Sequence, residues 1–244
     1  MTSPVTSPVT SQLSHADTFD LPVRHATAPP GRSWAVAGSL AGLAGAVGIY
    51  ASLQIDAVYN PDYAGDADRI TDRLGDFVPE ILVLHTGMVV AAVLLLVFAA
   101  GLRRRLAGRL PADSLLPGVA AGGLLLTSAV ALLGSGFSTE IVFGLTADDG
   151  ELDPEFAAVV AHWIGTIPWL WLGAGVAGVC VALASFRHGA LPRWIGLGAA
   201  VLGGLTLLAG LSPLQYMAGF TGPVLVLLLG AAFAFGDRDA ARLG

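Results

Sequence analysis

The chain has 244 residues, 55% of them hydrophobic and only 12% charged, with 32 glycines and a mean hydropathy of +0.73. About a quarter of the residues of an ordinary soluble domain are charged, so that class is excluded. A net charge of -6, with no basic run longer than Arg103-Arg104-Arg105, argues against nucleic acid as a partner, and the single cysteine, Cys180, leaves no intramolecular disulfide or cysteine-based zinc site.

Residues 1–33 are rich in Ser, Thr and Pro, contain the near-repeat TSPVTSPV and end in Pro29-Pro30-Gly31-Arg32. They lack the apolar content that offsets ordering entropy and are expected to form a disordered cytoplasmic tail. A cleaved signal peptide has a short charged start and an apolar run of about 7 to 15 residues. Here the first apolar run starts at Trp34 and is far longer, so an uncleaved first span is expected.

Six stretches reach the roughly 20 residues that cross about 30 Å of hydrocarbon. They are residues 34–53, 80–101, 115–137, 157–184, 194–211 and 214–235, giving a transmembrane domain over 34–236 and a short tail over 237–244. The last two are parted by Ser212-Pro213, where proline removes a backbone donor. The fold class is therefore an all-α, six-span membrane bundle.

Arginine counting sets the expected orientation, because basic residues are retained on the cytoplasmic side. With both termini inside, ten arginines are cytoplasmic and only Arg69 and Arg73 lie outside, while the outer segments hold thirteen of the eighteen acids. All twelve basic residues are arginine, which with the Ala and Gly excess points to a GC-rich bacterial genome and a plasma-membrane location. Arg103-Arg104-Arg105 and Arg109 fall just cytoplasmic of the second span, where they meet anionic headgroups.

A candidate internal repeat relates the second and third spans to the fourth and fifth. Each copy reads Pro-Glu, an apolar stretch, His, a small-residue-rich span, Arg, then Leu-Pro, from Glu80 through His85 to Leu110-Pro111 and from Glu155 through His162 to Leu191-Pro192. The spacings differ between the copies, and the symmetry expected is the parallel type, about an axis along the membrane normal.

His85 and His162 are the leading site candidates. Each lies one to two turns below an outer glutamate, and an ionisable residue within a span is a functional hypothesis by default. The competing reading is that each neutral imidazole bonds a neighbouring helix and only aids packing. His162, Thr166, Trp169 and Gly173 fall at i, i+4, i+7 and i+11, on one face of the fourth helix, which Pro168 is expected to kink. Asp56, Tyr59, Glu80, Glu140, Glu155, Gln215 and Tyr216 could complete an outer polar cluster. Neither histidine has a second ligand three or four residues away, so a metal site is weakly encoded. The run Asp148 to Asp153 lacks the start and end of a calcium loop. Gly38 and Gly42, and Gly118 and Gly122, are expected to pack small-xxx-small against neighbouring helices. No P-loop, nucleophile elbow, kinase or dinucleotide-binding signature occurs.

The stretch from 154 to 212, through His162-Trp163-Ile164-Gly165 and Leu191-Pro192-Arg193-Trp194-Ile195-Gly196, resembles multi-pass actinobacterial membrane proteins that carry a domain of unknown function. In those proteins a Pro-Arg-Trp-hydrophobic-Gly start to a late span follows a Trp-rich span. The resemblance covers about a quarter of the chain. It implies a membrane fold of that type and no activity.

These features describe a multi-pass integral membrane protein without classical enzymatic activity, with an outer-leaflet polar site around His85 and His162, partnered by the lipid bilayer and by a second copy or another membrane protein. One alternative is a redox module that binds haem b or a quinone through the two histidines, with Thr166 and Trp169 beside them. Another is a small-solute carrier or a lipid-modifying membrane enzyme.

Overall fold

The structure is a computed structural model that describes residues 31–147 and 152–236. The expected disordered tail up to residue 30, most of the acidic run after Ala147 and the tail from 237 lie outside the described residues. The helices are α1 (Ser33–Ser52), α2 (Ala67–Gly75), α3 (Val78–Ala107), α4 (Leu116–Thr146), α5 (Pro154–Thr166), α6 (Leu172–His188), α7 (Arg193–Leu211) and α8 (Ala218–Ala231).

A backbone in hydrocarbon has no water to bond, so each span must satisfy its own N–H and C=O groups as a helix. Six helical segments are long and apolar enough to cross a bilayer, with α5 and α6 together forming the fourth and α8 with the turn after it forming the sixth. The protein is a multi-pass, all-helical membrane protein. Two helices outrun their apolar stretches: α3 has 30 residues and α4 has 31, about 45 Å each at 1.5 Å per residue, so their ends project beyond the hydrocarbon.

Consecutive spans are neighbours, and α8 returns to pack on α1. This up-and-down order places the α1–α3, α4–α5 and α7–α8 connections at one end, which is acidic. The start of α1, the end of the sixth span and the other two connections share the opposite, arginine-rich end. There the guanidiniums of Arg109 and Arg32 donate to the carbonyls of Ala190 (2.9 Å) and Ala234 (2.8 Å), groups left over where α6 and the sixth span stop. Gly189, in the left-handed region at φ 60°, terminates α6.

The acidic end carries an element that the span pattern does not show. Residues 67–75 form a short amphipathic helix, α2, which buries Ile70 and Leu74 and packs mainly on α5. The Asp66 carboxylate caps it by accepting from the Arg69 N–H at 3.1 Å. Arg73 pairs with Asp56 (3.0 Å) and Asp76 (3.1 Å) and lies over the Phe77 ring. These bonds, led by the one to Asp56, raise the Arg73 pKa further and tie the loop to the start of α3.

The bundle centre is built on Trp171. The residue is fully enclosed and fits against Gly45 of α1 and Gly222 of α8, where a Cβ would collide with its ring. The fourth span reaches that position by breaking. Pro168 has no N–H to bond back to Ile164, and residues Ile167–Trp171 form a tighter 3₁₀ turn between α5 and α6. The buried hydroxyl of Thr127 on α4 donates to the Leu170 carbonyl at 3.0 Å. Gly123 and Gly173 make this approach feasible, since a Cβ on Gly173 would lie 2.2 Å from the Gly123 oxygen. The glycine expectation holds for Gly38 and Gly42, which meet Phe98 and the α8 backbone. It fails for Gly118 and Gly122, which have nothing within 4 Å of an added Cβ; in that turn of α4 the glycine that packs is Gly123, on the adjacent face.

Candidate functional site

In the half of the bundle nearer the acidic end, α3, α4 and α5 enclose a small cavity. Its polar wall is His85, Ser135, Ser138 and Trp163, and the remainder includes Leu84, Met88 and Ile167. His85 lies seven residues into α3, Ser138 eight from the end of α4 and Trp163 nine into α5, so all three sit about 10 to 14 Å from their helix ends. The cavity measures about 20 Å³, and about 10 to 15 Å³ by this measure accommodates one water.

His85 Nδ1 is 2.9 Å from the Ser138 hydroxyl. That hydroxyl has one proton, and it donates it to the Ser135 carbonyl at 3.0 Å. With that proton committed to Ser135, the hydroxyl is left to accept from Nδ1. Across the cavity, Trp163 is held edge-on between Phe137 (5.4 Å between centroids) and Trp169 (6.0 Å). Its Nε1–H is buried with no partner and abuts Gly134, where an added Cβ would lie 3.1 Å from it. An unpaired buried donor costs about 1 to 3 kcal/mol. A water in the cavity can accept from Trp163.

His162 is not part of this cavity. It lies on the exposed side of α5, as does Thr166, whose hydroxyl donates to the His162 carbonyl at 3.0 Å. The residues that face the cavity are Val160, Trp163, Ile164 and Ile167. Nor do His162, Thr166, Trp169 and Gly173 continue as one stripe: Trp169 is half-buried in the 3₁₀ turn and Gly173 is buried against α4, because the turn changes the angular step between residues. A bis-histidine haem needs both imidazoles on one iron, and this arrangement does not fit one. The proposed repeat fares similarly. Its first histidine is on an unbroken helix and faces inward, and its second is on a broken span and faces outward. Among the described residues, no group of three or more His, Cys, Asp and Glu is placed to hold a metal ion.

The other expected polar residues separate by environment. Glu80 is half-buried, with Oε2 enclosed and unpartnered. Glu140 and Glu155 are exposed, and Asp56 is committed to Arg73. The Tyr59 hydroxyl occupies the space that a side chain on Gly165 would take, joining the first acidic-end loop to α5. Burial, then the charge of nearby Tyr216, raises the Tyr59 pKa above the usual 10.0.

Sequence reasoning missed Ser135, Ser138 and Trp163. Two signals were present: hydroxyls three residues apart share a helix face, and Val160, Trp163, Ile164 and Ile167 follow the i, i+3, i+4, i+7 pattern of a packed face. No family model, curated protein or solved structure matches the chain.

Proposed function

We propose that this is a bacterial plasma-membrane protein, arginine-rich end in the cytoplasm, that binds a small hydrogen-bonding ligand at the His85 cavity in its outer half. The supporting observation is the buried, unpaired Trp163 N–H beside a water-sized cavity that also holds the His85–Ser138 pair. The site suits water or the oxygen of a small solute, which accepts from an indole. The break at Pro168 favours a carrier role, since substrate sites of many transporters are built where a span is discontinuous, and Ile167 both begins the break and lines the cavity.

The test is indole hydrogen exchange of the protein in lipid bilayers, read by ¹⁵N spectra. The Trp163 signal, identified by its loss in Trp163→Phe, is expected to exchange with deuterated buffer well before that of the enclosed Trp171. Ser138→Val is expected to slow it. Equal protection of both indoles would overturn the site. Orientation is checked separately: Ala147→Cys is expected to react with an impermeant thiol reagent in intact cells and Ala112→Cys only after the membrane is opened. The reverse pattern would invert the assignment.

A further inference from the structure

The fifth and sixth spans are joined near the acidic end by a hydroxyl pair, Thr206 and Thr221, at 2.7 Å. Towards the arginine-rich end a groove of about 540 Å³ opens between α7 and α8. Its floor includes small residues, Gly198, Ala199 and Ala232, and its walls include Leu228, Trp194 and Phe235. The last turn of the sixth span, Ala232–Gly236, is a π-helix, and it carries Phe235 outward to 72% exposure. Trp194 lies across the arginine end of the groove, with its ring against Gly236.

The dimensions match half a bilayer. From Trp194 to Leu202 the groove follows eight residues of α7, about 12 Å at 1.5 Å per residue, and one leaflet's hydrocarbon is half of about 30 Å. Tryptophan collects at the headgroup level, so the groove begins where an acyl chain begins. The charge also matches. Arg193 is exposed and adjoins Trp194, and the described residues of this end hold seven arginines against one acid, Asp113. Basic pockets between spans on such a surface recognise anionic headgroups.

We infer that the α7–α8 groove is a binding site for one anionic phospholipid, its acyl chain on Gly198 and Ala232 and its phosphate at Arg193. Membrane lipid of any headgroup can touch an exposed helix. Retention of the anionic kind requires both the groove and the arginine.

The experiment uses the full chain in nanodiscs in which a small fraction of the lipid carries a brominated acyl chain, either phosphatidylglycerol or phosphatidylcholine. Quenching of Trp194 is isolated as the difference from Trp194→Phe. Brominated phosphatidylglycerol is expected to quench Trp194 at lower mole fraction than the choline lipid. Arg193→Gln is expected to reduce that preference about five-fold, the effect of one arginine near anionic headgroups. Gly198→Leu fills the groove without a clash, because nothing lies within 4 Å of its Cβ position. It is expected to weaken quenching by the anionic lipid to the level of the choline lipid. Equal quenching by the two lipids in the unmodified protein, or an undiminished preference in either variant, would overturn the assignment and leave ordinary lipid contact only.

Discussion

The fourth and fifth spans have almost the same mean hydropathy, 1.9 and 1.8, yet 72% of the apolar window is buried in the fourth and 28% in the fifth. In water such a difference would follow from hydrophobicity. In a bilayer it cannot, because lipid tails are as apolar as leucine and do not drive helices together. Instead, irregularity separates the two. The fourth span carries Pro168, Trp163, Trp169 and Trp171, and it has neighbours whose glycines and hydroxyls receive them. The fifth is an unbroken helix with a row of lipid-facing side chains that includes Leu197, Val201, Leu205 and Leu208.

The sharpest break of this contrast is glycine to valine at matched sites. Gly173→Val places a Cβ within 2.2 Å of the Gly123 carbonyl and is expected to prevent recovery of folded protein, whereas Gly204→Val meets open space and should shift stability by no more than about 0.5 kcal/mol. Detergent-denaturation curves of the two variants make the comparison. Next in size is Trp171→Ala, expected to cost about 3 to 5 kcal/mol because the centre of the bundle cannot collapse. Trp194→Ala, at a site 55% exposed to lipid, should cost far less. Thr127→Val leaves the Leu170 carbonyl at the break unpaired. Its cost should be about 0.6 to 2 kcal/mol, the range for interhelical hydrogen bonds in membranes, and similar stability of the variant and parent would remove the hydroxyl from the account.

The smallest expected effect is at the acidic end. Because the folded Tyr59 pKa is raised above 10.0, the folded state holds a proton there that the unfolded chain gives up first. Stability from this group is therefore complete below pH 10 and falls as pH rises through the folded pKa. Tyr59→Phe should flatten that alkaline decline. The change will be slight, as Tyr59 is 62% exposed and solvent screens much of the effect.

The six spans were legible because each needs a long apolar run, and hydropathy reads that directly. Helix ends were less so: α4 runs on to Thr146, well past the apolar stretch, since a helix entering the headgroup region has no reason to stop where hydrophobicity does. The site was half legible. His85 was visible as an ionisable residue inside a span, but the choice between His162 and Trp163 rests on one 100° step around α5, which only the packed face at Val160, Ile164 and Ile167 decides. Helix α2 was hidden because its two buried residues, Ile70 and Leu74, are too few to register beside runs of twenty.

The return of α8 to α1 has a consequence for biosynthesis. The Ser39 hydroxyl donates to the Leu227 carbonyl, 188 positions later in the chain, and Gly42 and Gly230 are in backbone contact across the same seam. At about 5 to 20 residues per second, the ribosome delivers the closing helix roughly 10 to 40 s after the first span emerges. During that interval the side of α1 at Ser39 and Gly42 lacks the helix it finally packs on. The nascent bundle is open along one side, and the insertion machinery or a chaperone of the membrane has that window in which to hold it.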